Sequence, residues 1–368
     1  MQISLPFTMR YPVLAFGSQG KNTLCFAAAK TARISAVHAE LSDPADFSAF
    51  KKCAIRFLKD APRILAFDLH PGYQSSVFAV SLRRKAKLSA VQHHHAHIAS
   101  CMAENGLANR RVIGVAFDGT GLGSDGSLWG AEFLVCDYAG FRRAAHLRPV
   151  PLLGMEMGVR QPYRTAAAWL YAAYKEGFLK FDFRAVRKIR RDWPTFKKMY
   201  LSGFAAPAAS SMGRFFDAAS CLVFDKTSVS RQAELACLLE TAAASCRKPP
   251  CAYPCAIARA EGVLEIDPRP LFRRLVQDIA RKKPKPAIAY AVHAGISEAL
   301  VKVCRILRRQ TDCKKVVLSG GVFQNAVLRG LAVQGLHAQG FDVYTHRLVS
   351  CSDSGISLGQ AAVANFMH

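Results

Sequence analysis

Four histidines stand within five residues in the middle of the chain, in "VQHHHAHIAS" (91–100). If the segment entered from "KLSAVQ" is helical, residues four apart share a face, so His93 and His97 converge while His94 and His95 point elsewhere. This is the spacing with which a helix presents two imidazoles to one metal ion. Two other segments offer acids in glycine-rich turns after apolar strands: Asp118 in "AFDGTGLG" and Asp353 in "SCSDSGISLG". Two imidazoles and two carboxylates form a donor set suited to Fe(II) or Zn(II), less so to Ca(II) or Cu(I). Spacing alone leaves a plainer reading equally open, in which the histidines start a helix and the aspartates shape turns.

The glycine turns suggest a second chemistry. In "DGTGLGSDG" (118–126), backbone N–H groups around Gly119, Thr120 and Gly121 can cradle a phosphate. In "LSGGVFQN" (318–325), Gly320 and Gly321 separate a strand from a helix, and the helix N-terminus, near Asn325, is expected to be open to an anion or nucleotide. Neither is a Walker loop, since the G-K-[ST] ending is missing. Together they suggest the two-lobed nucleotide cleft of the actin and sugar-kinase type.

The elements that must position these residues are those of a mixed α/β chain. "PVLAFG", "NTLCFAAA" and "ARISAV" read as a β-meander, "RILAFDLHP" as a buried strand and "RVIGVAFDGTGLGSDGSLWGAEFLVCDY" as strand, turn, strand. Residues 160–310 are mostly helical in pattern. The division expected is lobe I over 1–150, with 340–368 returning to it and most metal ligands on it, and a largely helical, nucleoside-facing lobe II over 151–339. The 368 residues, 51% apolar and 21% charged, can bury a sizeable interior. No uninterrupted apolar run is long enough to span a bilayer, and the amino terminus lacks a leader pattern, so a cytoplasmic protein without a membrane partner is expected. Twelve cysteines are scattered without paired C-x-x-C spacing, and Cys246, Cys251 and Cys255 do not read as a zinc site. The net charge of +24 attracts polyanions, yet stretches such as "RAVRKIRRDWPTFKK" (184–198) and "RKKPKP" (281–286) read better as a solvated basic face than as a nucleic-acid groove.

"VQHHHAH", "FDGTGLGSDGSLWGAEF", "SSMGRFFDA", "IDPRPL", "LSGGVFQN" and "VYTHRLV…DSGISLGQA", in this order, resemble the carboxyl-terminal domain of the HypF carbamoyltransferase family of [NiFe]-hydrogenase maturation. "GSQGKNTLCFA" and "FDLHPGYQSS" extend the similarity over nearly the whole chain. The resemblance implies a two-lobed actin-like (RNase H-like) α/β fold and a metal bound by His93, His97, Asp118 and Asp353. It implies transfer of a carbamoyl group from carbamoyl-adenylate to the carboxyl-terminal cysteine thiolate of a HypE-like acceptor protein, with AMP leaving. His93 and His97 then serve the chemistry through the metal, which polarises the carbonyl. Lys21 in "GKNT" is the candidate positive charge for the phosphate, and Asp217 of "SSMGRFFDA" joins the nucleotide-binding set.

The acylphosphatase-like, zinc-binding and adenylate-forming domains of complete family members are missing from this sequence. Only the second half-reaction is therefore expected, with carbamoyl-adenylate (itself made from ATP) coming from a separate protein or domain. Several positions depart from the family pattern. Gly154-Met155-Glu156 replaces Gly-Gly-Asp, Ser230-Arg231-Gln232-Ala233-Glu234 replaces Glu-Gly-Gln-Ala-Ala, Gln19 replaces an acid, and Ser352 and Ser354 flank Asp353 in place of Asn and Gly. The metal set is intact while the nucleoside shell is altered. Three readings follow: an altered carbamoyltransferase, an O-carbamoyltransferase acting on a small-molecule hydroxyl, and a binding paralogue without catalysis.

Overall fold

The computed structural model describes residues 1–260 and 262–368. It is an α/β structure built on two main sheets. The first has six strands in the order Gln2–Ser4, Thr31–Ile34, Cys25–Ala28, Val13–Ala15, Ile64–Asp68, Lys87–Val91. Its first half is the expected antiparallel meander, and Val13–Ala15, Ile64–Asp68 and Lys87–Val91 run parallel. The second sheet follows the path Ala256–Ala260, Val263–Asp267, Phe141–Leu147, Leu128–Cys136, Val112–Leu122, Lys315–Ser319, Asp342–Tyr344.

The change of sheet falls between Glu104 and Val112, so strands 112–147, counted above with the first lobe, lie in the second sheet. The returning segment also divides: Asp342–Tyr344 joins the second sheet, while the helix Ile356–Met367 packs on the first. Strand alternation explains the layers. Val13 and Ala15 face a central core, whereas Leu14 and Phe16 face an outer core under the helices Pro44–Leu58 and Gln74–Ser81.

The central layer consists of the histidine helix, His93–Glu104, packed on the second sheet, and the C-terminal helix, Ile356–Met367, packed on the first. Two glycines let these elements close on each other. A Cβ at Gly359 would strike the Ala96 carbonyl oxygen, and one at Gly114 would lie 2.6 Å from Ile98 Cγ1. Any larger residue at either place would push the histidine helix off its neighbours.

On its far side the second sheet is covered by helices that include Tyr163–Tyr174, Met212–Phe224 and Lys285–Thr311, around Trp169, Phe215 and Phe272. Lys285–Thr311 is long and apolar enough to cross a membrane, but most of its apolar stretch is buried against other helices, as in a core helix. The basic helix Arg184–Ser202 buries Val186, Ile189, Trp193 and Phe196 and leaves its arginines and lysines largely outward.

Candidate metal centre

The helix that carries the histidines begins where the sequence changes from strand alternation to helical spacing. Gln92 caps it, its side chain accepting from the His95 N–H at 2.9 Å. One turn of helix separates His93 from His97, and their rings lie 5.0 Å apart, near perpendicular. Asp118 comes from the strand Val112–Leu122 and Asp353 from the turn before the C-terminal helix. His93 Nε2 lies 3.4 Å from Asp118 and 3.9 Å from Asp353, and His97 Nε2 lies 3.9 Å and 3.7 Å from the same two carboxylates. One donor atom from each of the four lies within 4.8 Å of the others.

Both Nε2 atoms are buried and have no hydrogen-bond partner. Leaving such atoms unpaired is costly unless something fills the space between them. Two imidazoles and two carboxylates around one buried gap fit a divalent ion of the Fe or Zn kind. Burial alone would lower the His93 pKa, but Asp68, Asp118 and Asp353 outweigh it and hold the imidazole well above its ordinary value. Burial would likewise raise Asp118, yet His93, His97 and His94 hold it far below the usual carboxylate range. The surroundings thus favour charge separation across the gap.

Each ligand is fixed from behind. Asp68, the residue that ends the strand "ILAFD", is 2.7 Å from His93 Nδ1 and almost fully buried. It accepts a hydrogen bond from Nδ1–H, which leaves Nε2 as the atom free to ligate. Sequence reasoning passed over Asp68, although an acid closing a buried strand at the sheet edge was a usable signal. Asp118 Oδ1 accepts the Gly321 N–H at 3.1 Å. The Asp353 turn is anchored by Thr23, whose hydroxyl donates to the Ser354 carbonyl at 2.8 Å, and by Ser100, which donates to the Gly355 carbonyl at 2.7 Å. Ser350, Ser352 and Ser354 are linked by hydroxyl contacts of 2.9 and 3.3 Å, so the unusual serines knit the turn together.

His94 and His95 face away from the gap. His94 is held by Gln92 at 3.2 Å and lies near Trp129, and burial and the neighbouring His93 push its pKa well down. His95 reaches the Asp137 carbonyl at 2.6 Å.

The candidate phosphate cradles need correction. "DGTGL" is the end of an eleven-residue strand, and the turn lies beyond it at 123–127. The ladder pairs Trp129 with Gly121 and then Ala131 with Phe117, so residues 118–120 lie opposite an irregularity. Gly119 has open space on its Cβ side, and Thr120 is half-buried. Gly121, by contrast, lies in the ladder with the His93 and His94 rings against it, where a Cβ would come within 2.7 Å. It makes room for the rings and has no space for a phosphate.

The N–H groups of Gly320 and Gly321 are also committed, to the Cys351 carbonyl at 3.0 Å and to Asp118. Asn325 caps the following helix through Leu328 N–H at 2.9 Å and meets His293 Nε2 at 2.9 Å, and Glu240 accepts the Ala326 N–H at 2.7 Å. That helix start is closed to an anion. The glycine turn instead braces the Asp118 carboxylate.

Asp217 is buried beside Arg214 at 2.8 Å, and burial raises its pKa despite that partner. Its carboxylate is occupied by the arginine. Its helix nevertheless reaches the site: Ser211 donates to the Gly119 carbonyl, and Gly213 lies against Gly119. Lys21 is exposed, in the short strand Gly20–Asn22 that packs on the Asp353–Gly355 turn. All twelve cysteines are free, and Cys246, Cys251 and Cys255 join no metal-ligating group among the described residues.

Family models and known proteins match almost the whole chain. Residues 8–104 match the HypF Kae1-like domain, and residues 114–360 match the second subdomain of the carbamoyltransferase Kae1-like domain. The gap between the two matches coincides with the change of sheet. A carbamoyltransferase HypF homolog of Cupriavidus necator is 35% identical over 96% of this chain and 91% of its own length. Carbamoyltransferase HypF of Rhodobacter capsulatus is 34% identical over 96% of this chain but 46% of its own length. A crystal structure of full-length HypF in a phosphate- and nucleotide-bound form superposes with a TM-score of 0.91 at 35% identity, over 99% of this chain and 47% of that one. Apart from the Cupriavidus homolog, then, the chain spans about half the length of these relatives. With both subdomain models matched and the fold shared throughout, the chain belongs to the HypF carbamoyltransferase family, through its Kae1-like region.

Proposed function

We propose that this chain carries out the carbamoyl-transfer half of the family's reaction in hydrogenase maturation, in the cytoplasm. It moves a carbamoyl group from carbamoyl-adenylate to the carboxyl-terminal cysteine thiolate of a HypE-like acceptor. The observation that carries this reading is the pair of buried, unpartnered Nε2 atoms of His93 and His97 facing Asp118 and Asp353. A divalent Fe or Zn ion held by these four residues would supply Lewis-acid polarisation of the carbamoyl carbonyl. Asp68 holds the proton on His93 Nδ1, and Gly321 holds Asp118 in place.

Gly119 and Thr120 border an open part of the first glycine run, on the strand that carries Asp118, which suits the phosphate of the adenylate. Lys21, next to the Asp353 turn, is a free cation for it. The acceptor sulfur forms a bond to the carbamoyl carbon while the carbon–oxygen bond to the phosphate breaks. AMP departs with that bonding pair. A separate protein or domain supplies the carbamoyl-adenylate.

One observation favours a second reading, a binding paralogue: Met155 projects, exposed, from the turn expected to line the nucleoside. Calorimetric titration of metal-analysed protein with AMP and a non-hydrolysable ATP analogue separates the two. Binding that is lost in Asp353→Ala and His93→Ala supports transfer, to be followed by mass analysis of the acceptor's carboxyl-terminal peptide after adding carbamoyl-adenylate. Bound metal without nucleotide binding overturns it in favour of the paralogue. A carbamoylated small-molecule hydroxyl in place of the peptide would change the acceptor and leave the chemistry standing.

A further inference from the structure

The far end of the histidine helix carries a second polar cluster that the proposed reaction leaves unused. Cys101 and Glu104 lie three residues apart on that helix and meet His346 of "VYTHRLV", with one donor atom from each within 4.8 Å of the others. Cys101 is fully buried, and the side chains of Glu104 and His346 are 1% and 5% exposed.

Each of the three is tied on its outer side. The Ser319 hydroxyl is 2.8 Å from His346 Nε2. Glu104 Oε2 accepts the backbone N–H groups of Arg347, Leu348 and Val349 at 3.2, 2.7 and 3.2 Å. Asn105 Nδ2 is 3.5 Å from Cys101 Sγ. The remaining donor atoms face one another: His346 Nδ1 lies against Glu104 Oε1, with the Cys101 sulfur beside them. Outer partners of this kind orient ligating side chains and raise their basicity.

In the absence of an ion, burial keeps the Cys101 thiol protonated, its pKa well above the ordinary value. Burial lowers the His346 pKa even against the pull of Glu104, which favours a neutral imidazole. Burial would raise Glu104, but His346 and the backbone donors hold it below its ordinary value. Without a cation, Nδ1 of His346 pairs directly with Oε1 of Glu104. A divalent ion between them would displace the Cys101 proton, and thiolate plus carboxylate would balance its charge.

We propose that Cys101, Glu104 and His346 form a second divalent-cation site of the zinc type, separate from the ring of His93, His97, Asp118 and Asp353. Nitrogen, oxygen and sulfur donors together select zinc among the common divalent ions. The inference is independent of the carbamoyl-transfer reading.

Zinc-reconstituted, desalted chain, assayed by mass spectrometry, is expected to hold two equivalents, with Cys101→Ala and Asp353→Ala each holding one. Cobalt substitution distinguishes the sites, because only a site with sulfur gives a near-ultraviolet thiolate-to-cobalt band. The band is expected in wild type and Asp353→Ala and lost in Cys101→Ala. One equivalent in wild type and none in Cys101→Ala would uphold this site while removing the other. A zinc count and band unchanged in Cys101→Ala would overturn the proposal. Should that variant fail to fold, absence of the band from wild type overturns it equally.

Discussion

The ring of His93, His97, Asp118 and Asp353 and the turn at Gly154–Glu156 show how differently two parts of one chain can be built. In the ring, the ligands are held from behind: Asp68 on His93, Gly321 on Asp118, Thr23 and Ser100 on the Asp353 turn. At 154–156 the chain turns through Gly154 at φ +82° and Met155 at φ 52°, ψ −115°, and the Met155 side chain is 55% exposed. That is a conformation glycine enters freely and methionine only under strain. The backbone at Met155 thus has a shape better suited to a glycine.

The acids nearby are spent locally. Glu156 pairs with Arg160 at 2.6 Å on the surface, and Glu234 takes Lys226 together with the N–H and hydroxyl of Ser230, each at 2.9 Å. The lesson is that a site whose members brace one another keeps its geometry, whereas a turn held by its own backbone can change side chains without unfolding anything.

The largest expected effect tests the joint beneath the ring. His293 donates from Nδ1 to the Ala289 carbonyl at 2.8 Å and accepts at Nε2 from Asn325 at 2.9 Å, just beyond the turn that holds Asp118. Burial lowers its pKa to about 4. Below its ordinary value of about 6.5 the unfolded chain takes up a proton that the folded chain refuses until about pH 4, so stability falls as pH drops across that window. The loss is about 3 kcal/mol by pH 4, read from urea midpoints at a series of pH values. A His293→Leu variant is expected to lose this component. The same pH dependence in that variant would show that the joint titrates elsewhere.

Next in size is the brace on His93. Asp68→Asn keeps an acceptor near Nδ1 but removes the charge, and metal affinity is expected to fall about 10–100-fold in competition with a chelator. Affinity equal to wild type would mean that the ring does not depend on its backing, and the contrast drawn here would fail. The smallest effect concerns the turn: Met155→Gly is expected to stabilise the chain by about 1 kcal/mol by relieving the backbone, visible as a shift in urea midpoint. A loss of stability would show instead that Met155 packs usefully.

Much of this was determined by the sequence alone. The apolar meander, the helical spacing of His93 and His97 and the acids after apolar strands are local patterns, set by periods of two and 3.6 residues. They were legible without coordinates, and so was the family. The α/β class follows from the same alternation of strands and helices.

Other features depended on the tertiary structure. The sequence could not say that "DGTGL" continues a strand, because a glycine-rich run reads as a turn until a partner strand pairs on either side of it. Nor could it say that Gly321 is already engaged by Asp118, 203 residues away, or Asn325 by His293, since those partners come from other segments of the chain. The same holds for Asp68 and for the meeting of Cys101, Glu104 and His346. Hydrogen bonds between distant segments follow from how the helices and sheets stack, and Gly114 and Gly359 set that stacking by letting the histidine helix close on its neighbours.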